Sequence, residues 1–260
     1  MSTSTRPSKP ASAPPQTVPI PSTTAATLLD AFTTFLTLAL HSLLYHRGLY
    51  PPATFLTARA LNLPVRQSRH PGLCAWINDA VAAAAVQLRA GTARRVVVAM
   101  HAPKSLAVLE RWVFDVEDFP ASWGDAGEGE AVEEEEQEQE QENDDDAASV
   151  AEDEDVVNWT DVNEALRGAL RRIAYAGETM PTLPGGSTFT LAVELRDEAP
   201  APIGHPQPWI PSQPKLQPPT KSSPNQGSSL GGSSTTPIRS VRAGPLFFEC
   251  WVELGPDPPS

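Results

Sequence analysis

The sequence predicts an α+β fold, one domain of three helices and several strands that include an antiparallel hairpin. Three observations carry that reading. Thr24–His46 repeats apolar residues at three- and four-residue spacing, the period of a buried helix. Arg94–His101 and Leu106–Val116 are β-branched or aromatic runs joined by a short polar turn, the pattern of a hairpin and hence of antiparallel pairing. The last third opens on one strand-like run, Ser187–Leu195, and closes on another, Leu246–Leu254. Helical and strand patterns mix along the chain, as in α+β domains.

Of the 260 residues, three stretches look unpacked, which leaves enough chain for one domain with a real core. Residues 1–22 form a Ser/Thr/Pro-rich tail expected to be disordered. Residues 122–156 form an acidic insert, with sixteen acids and no base between Glu128 and Asp155. Like charges at that density repel and build no core, so the insert reads as a solvated loop. Outside it, sixteen acids face nineteen bases, and the net charge of −13 belongs to the insert alone. The folded part is near neutral, unlike a polybasic nucleic-acid or membrane binder. The third stretch is the loop 197–245, rich in Pro, Ser and Gly, followed by the last strand and a tail at 255–260. Closing a loop of about fifty residues costs roughly 3–4 kcal/mol plus a constant. A loop that long has a task; the expectation is that it passes over something and that the terminal strand fastens it.

In order, helix 24–46 carries Leu28, Phe32, Phe35, Leu36, Ala39, Leu40, Leu43 and Leu44 on a wide stripe, so it should be central and enclosed. At fifteen residues, its most apolar part, Ala31–Tyr45, is short for a membrane span. Gly48 and Pro51-Pro52 end it. A short strand is expected within Ala53–Leu63. Ser68 and Pro71 mark the start of a second helix running to about Ala90, with Leu73, Trp76, Ile77, Val81, Ala84 and Leu88 inward. After the hairpin and the insert, Asn158 caps a third helix to Ala176. Arg171 and Arg172 suit its C-terminal end, and Gly177 closes it.

Chemistry is hard to find. There is no phosphate-binding or dinucleotide glycine loop, no C-x-x-C and no H-E-x-x-H. Gly227–Gly231 spells G-x-S-x-G but lacks the strand–turn–helix context of a nucleophile elbow. His41 and His46 are five apart on one helix and face different ways, so they read as half-exposed structural histidines rather than ligands. Cys74 and Cys250 do not make a disulfide framework and read as small core residues in a reducing compartment. No secretory signal is evident, so the Asn158-Trp159-Thr160 sequon reads as a helix cap. The expectation is a protein that is not an enzyme, with no catalytic residues, metal or cofactor.

Segments in a particular order and spacing resemble the HORMA-domain family. They are Leu44-Tyr45-His46-Arg47 with Tyr50-Pro51, Pro64-Val65, His70-Pro71, Leu73 with Trp76-Ile77, and Val96–Val98. Val113-Phe114-Asp115, Ser187–Thr190, Pro208-Trp209-Ile210 and Trp251-Val252-Glu253 continue the series. The likeness runs to the branch serving as accessory subunits of translesion DNA polymerase zeta. It implies three helices on an antiparallel sheet and a mobile C-terminal "safety belt" that wraps a partner peptide, itself added as a strand.

By that resemblance Trp76, Pro208, Trp209 and Ile210 would grip a proline-containing peptide of the catalytic subunit of DNA polymerase zeta. Arg172, Thr235, Pro237, Glu249 and Trp251 would face a second partner, a deoxycytidyl-transferase scaffold polymerase. Arg167 matches a position used in pairing two HORMA domains. The resemblance further implies a nuclear protein of DNA damage tolerance with no membrane and no direct nucleic-acid site. Read on their residues alone, Trp76 also fits as core and Arg167 as a solvated arginine. A spindle-checkpoint or meiotic-axis HORMA adaptor, or a disordered chain presenting P-x-x-P segments, stays open at this point.

Overall fold

The computed structural model describes residues 22–120, 157–196, 199–202, 208–217 and 234–255. Residues 1–21 of the expected tail, the acidic insert and 23 of the 49 residues of the long loop lie outside them. Helix α1 (Ser22–His46) is followed by a 3-10 turn at Pro52–Thr54, β1 (Phe55–Ala60), β2 (Leu63–Ser68) and α2 (Pro71–Arg89). Then come β3 (Ala93–His101), β4 (Val108–Asp115), α3 (Trp159–Thr179), β5 (Thr188–Leu195), β6 (Ser234–Ala243) and β7 (Leu246–Leu254). Three helices and an antiparallel hairpin are what the patterns predicted, and the antiparallel sheet is what the resemblance implied.

Helix α1 is the centre of the core. Leu28, Leu29, Phe32, Phe35, Leu36, Leu40, Leu43 and Leu44 have no exposed surface. Phe32 meets Phe119 and Phe248 edge-on at 5.0 and 5.1 Å, and Phe35 meets Phe114 at 6.0 Å. By length and composition Thr23–His46 could cross a bilayer, but here its apolar surface is spent on the sheet and the other helices. His41 is buried as well, correcting the half-exposed reading, which holds only for His46.

The main sheet has the order β5-β3-β4-β7-β6, antiparallel throughout. Val96, Val98, Met100, Trp112, Phe114, Phe248, Cys250 and Val252 form its buried face and join the core with α1. The alternate residues Arg95, Arg111, Asp115, Glu249, Trp251 and Glu253 occupy the other face, as the period of two requires.

Four expectations change. The region around Ala53–Leu63 holds not one strand but a hairpin, β1–β2, forming a separate two-stranded sheet. Its turn is Leu61-Asn62, both at positive φ (48° and 57°), the geometry of a two-residue primed turn without its usual glycine. Second, α2 begins at Pro71 with His70 as the cap: His70 Nδ1 accepts from the Leu73 amide at 3.2 Å, while Ser68 is buried in β2. Third, α3 runs past Gly177 to Thr179, so Arg171 and Arg172 lie inside the helix. Gly177 serves close approach instead, since a Cβ there would stand 3.1 Å from that of His46. Fourth, residues 234–243 of the expected loop form β6, which pairs with β7 from Ser234↔Leu254 to Ala243↔Leu246.

A buried ion pair closes the end of the core where α1 meets α3. Arg47 Nε and Nη2 donate to Glu110 Oε2 and Oε1 at 3.0 and 2.5 Å. The same guanidinium donates to the carbonyls of Gly177, Met180 and Pro181 at the end of α3, where cationic charge suits the helix dipole. The Trp112 indole N–H donates to Glu110 Oε2 at 3.0 Å. Every oxygen of this buried carboxylate thus has a partner, the condition under which such a pair is tolerated.

Candidate functional site

Two sheet edges define the site. β5 is one edge and β6 the other. The connection between them, residues 196–233, therefore joins opposite sides of the sheet. It cannot be a hairpin loop. Among the described residues β5 pairs with β3 alone, which leaves its outer row of amides and carbonyls open to an added strand.

Beside that edge lies a groove of about 440 Å³ lined by Tyr50, Thr54, Ser68, His70, Gly72, Leu73, Trp76 and Phe189. Each wall has a local cause. Gly48, at φ 67°, ends α1 and turns the chain so that Tyr50 reaches the rim. The first turn of α2 presents Gly72, Leu73 and Trp76. Phe189 projects from β5 and takes both aromatics edge-on, Trp76 at 5.1 Å and Tyr50 at 6.5 Å. Trp76 is 42% exposed and Tyr50 36%, so large rings face solvent around a concave, mostly apolar floor. Such a surface suits a short apolar or proline-bearing segment.

On the far side, β7 sits between β4 and β6 rather than at an edge. Its pairing with β4 runs from Glu110↔Leu254 to Asp115↔Glu249. An ionic network on the outer face ties the strands laterally. Arg111 on β4 donates to Glu253 on β7 at 2.6 Å and also to Glu194 on β5. Arg95 on β3 reaches Asp115 at 2.8 Å and Glu194 at 3.5 Å, and its guanidinium lies 5.4 Å from the Trp251 ring centre. Burial works against the Arg95 charge, but hydrogen bonding and charge from Asp115 and Glu194 outweigh it and raise its pKa. Trp251 Nε1 donates to Glu253 Oε1 at 2.8 Å. Arg111 thus ion-pairs with both the open edge strand and the terminal strand, and Arg95 bridges the same two strands through Glu194 and the Trp251 ring.

Of the residues expected to grip a peptide, Trp76 lines the groove. Pro208 and Ile210 are exposed and Trp209 is half-buried; among the described residues none of the three lines the groove. In the second set, Thr235, Pro237, Glu249 and Trp251 share the sheet's outer face, since Thr235↔Glu253 and Pro237↔Trp251 are paired. Arg172 is exposed on α3, which packs against β6 from the helical side. The set is therefore divided between two layers. Arg167, half-buried on α3, pairs with Glu164 one turn away. Residues not singled out for the site include Tyr50, Phe189 and His70 at the groove and Arg111, Glu194 and Glu253 in the network. An arginine amid the apolar run of β4 was a usable signal; nothing in the sequence brings Phe189 to Trp76.

The fold is thus an α+β domain whose one edge strand borders an aromatic groove and whose C-terminal hairpin docks on the opposite side of the sheet. The chain belongs to the HORMA domain family, whose model matches residues 29–236. It is 28% identical to the DNA polymerase zeta processivity subunit of Schizosaccharomyces pombe, over 86% of this chain and 92% of that one. It is 25% identical to the mitotic spindle assembly checkpoint protein MAD2A of Dictyostelium discoideum, over 72% and 77%. Among solved structures it resembles a chain of the mitotic checkpoint complex with a TM-score of 0.60, at 16% identity over 88% of this chain and 99% of that one. It resembles Caenorhabditis elegans HTP-2, solved bound to a HIM-3 closure motif, with a TM-score of 0.55, at 8% identity over 88% and 90%. The family, and the name of the fission-yeast relative as a processivity subunit, point to a non-catalytic adaptor.

Proposed function

We propose that this chain is a peptide-clamping accessory subunit of DNA polymerase zeta, acting in the nucleus in translesion synthesis. It holds a proline-containing segment of the catalytic subunit and presents a second surface to a scaffold polymerase of the deoxycytidyl-transferase kind. The carrying observation is the placement of β5 and β6 at opposite edges, with the aromatic groove at the open one. A peptide added to β5 gains main-chain hydrogen bonds from the strand and side-chain contacts from Trp76, Tyr50 and Phe189. Residues 196–233 then close over it, and the β6–β7 hairpin fastens the closure. Trp209 grips the peptide from the belt side. The protein works by holding, with no covalent step.

The second surface is the outer face at Thr235, Pro237, Glu249 and Trp251, with Arg172 contributing from the helical layer. Arg167 serves pairing with another HORMA domain. The checkpoint reading rests on the MAD2A likeness and differs in the peptide held, not in the mechanics. The test is recovery of tagged full-length chain from nuclear extract, followed by mapping of the bound segment. The expected result is a large B-family polymerase retained through a proline-containing segment and lost with the Trp76→Ala/Trp209→Ala double variant. Full-strength retention by that variant removes the proposal, and recovery of a checkpoint or chromosome-axis protein instead selects the alternative.

A further inference from the structure

The first half of the domain is short of acids. Between Asp30 and Glu110 the only acid is Asp79, while the same stretch carries seven arginines and a lysine. Arg47, Arg94 and Arg95 find carboxylates from β4, the turn after it, and β5. Arg59, Arg66 and Arg69 form no ion pair among the described residues. All three belong to the β1–β2 ribbon or its exit.

Their placement follows from the ribbon's register. Phe55↔Ser68, Thr57↔Arg66 and Arg59↔Pro64 are cross-strand pairs alternating onto one face, of which the first pair is buried, with Phe55 edge-on to Tyr45, and the arginines lie beyond it. The opposite face carries Ala58, Val65, Ala60 and Leu63 into the core cluster. Ser68 lines the aromatic groove, so the arginine face begins at the groove and runs outward to the hairpin tip. Arg66 is held in place, its Nη1 donating to Thr57 Oγ1 at 2.7 Å and its guanidinium 4.5 Å from the Tyr45 ring centre. Arg69 is exposed between the groove-lining Ser68 and His70, and its amide donates to the Thr54 carbonyl at 2.8 Å. From Ser68 to the level of Arg59 the ribbon spans about 14 Å, the length of four to five extended residues.

We propose that this ribbon face binds an acidic flank of the clamped peptide, a run of Asp and Glu that leaves the groove past Arg69 at its rim and lies along Arg66 and Arg59. The inference rests on the clamp reading and adds to it the chemistry of the segment beyond the proline core. Two features select a peptide flank as occupant: the face is continuous with the groove, and its charge lacks an internal complement. Exposed ion pairs of this kind are individually weak and screened by salt. The flank therefore tunes affinity and sets which way the peptide runs, while the groove supplies the grip.

A displayed library of random segments with a fixed central proline, selected on the full chain, tests this. Selected segments are expected to share an apolar core and to be enriched in Asp and Glu on one side of it only. The Arg59→Glu/Arg66→Glu/Arg69→Glu variant should select the same core with the acidic side lost or replaced by Lys and Arg. If that variant fails to fold, Arg59→Gln/Arg69→Gln alters only the two exposed positions. A selected peptide with its acids changed to amides should bind about tenfold more weakly at low salt, with the gap closing at high salt.

A shared core without one-sided acids, or acids that persist unchanged in the variant, overturns the flank proposal and leaves the clamp standing. Selection of no common core overturns both. Two other occupants would also overturn it. One is short duplex DNA, if it binds the wild type but not the variant while peptides show no flank preference. The other is the chain's own Glu128–Asp155 run, if acid enrichment emerges only after those acids are changed to amides.

Discussion

Replacing Arg111 with methionine should loosen the terminal strand more than the rest of the fold. The Arg111 side chain is 7% exposed, that of Glu253 9% and that of Glu194 13%. Removing one partner of a buried pair costs about 3–5 kcal/mol, because the remaining charge stays buried without its counterion. Two compensations push this toward the low end. Glu194 keeps Arg95 at 3.5 Å, and Glu253 keeps the Trp251 indole N–H at 2.8 Å. The residue left worst off is Glu253, on β7, and it regains water only if β7 lifts from β4. A cost of about 3 kcal/mol placed there shifts the balance between docked and lifted β7 by roughly a hundredfold. Hydrogen exchange of the β7 amides, compared with those of β3, reads this directly, and so does the dissociation rate of a bound partner peptide. Arg111→Met/Glu253→Gln should restore most of the loss, since the double variant buries no orphan charge. Exchange that rises equally in β3 and β7, or peptide release within twofold of wild type, refutes the assignment of Arg111 to the latch.

Trp76→Ala should weaken binding of the partner peptide by about tenfold or more while changing stability little, because the ring is 42% exposed; calorimetry of binding, set beside a thermal melt, separates the two. Arg47→Met should lower stability by about 3–5 kcal/mol, since Glu110 and the carbonyls ending α3 lose their donor together; urea unfolding measures it, and Arg47→Met/Glu110→Gln should recover part. Burial lowers the His41 pKa from its ordinary value, so the unfolded chain takes up the proton first. Its stabilising contribution is present above about pH 6.5 and is lost as pH falls from there toward the folded value; His41→Gln should flatten the dependence of melting temperature on pH in that window. Burial pushes the Cys250 thiol up to about 12, so a thiol reagent at neutral pH should modify Cys74 in the native protein and Cys250 only on unfolding; mass spectrometry of the labelled peptides gives the order.

How far the sequence could be read depended on whether each signal was local. Helix α1 was legible because its apolar residues repeat at the helical period from Leu28 to Leu44, nearly five turns. Asn158 was legible because a side-chain cap is a neighbour effect: its Oδ1 accepts from the Thr160 and Asp161 amides. The β1–β2 turn was not, because Leu61-Asn62 takes a left-handed path normally advertised by glycine. β6 was missed for a related reason. Its stretch, Ser234–Ala243, holds Pro237 and few apolar residues, with a register shift between Pro237 and Arg239, and it lies on an edge where proline and bulges are tolerated. The groove is non-local in a stronger sense. Trp76 and Phe189 are far apart in sequence and meet only once α2 and β5 are placed, so the periodicity that found Trp76 could not say whether it faced core or solvent. The buried Arg47–Glu110 pair joins α1 to β4 in the same way.

That β7 is an interior strand decides how firmly the proposed clamp holds. A single terminal strand at an edge would leave by breaking one ladder and exposing little. β7 carries β6 with it, so lifting the hairpin breaks the whole β4 ladder at once. It also withdraws Leu246, Phe248, Cys250 and Val252 from the core, all buried. Phe248 alone touches Phe32, Phe35 and Phe119, two of them on α1. Burying a leucine, valine or phenylalanine side chain is worth roughly 1.5–3 kcal/mol, so opening exposes several such side chains besides the main-chain rungs. That is a sub-global unfolding rather than a loop motion, and events of this size are rare on the scale of loop dynamics. The outer network sits over this seam, where Arg111 adds an ionic tie that a single substitution can remove without touching the aromatic anchor. In the proposed clamp, grip on a peptide is thus set at the groove, and residence time on the far side of the same sheet, by residues that never contact the peptide.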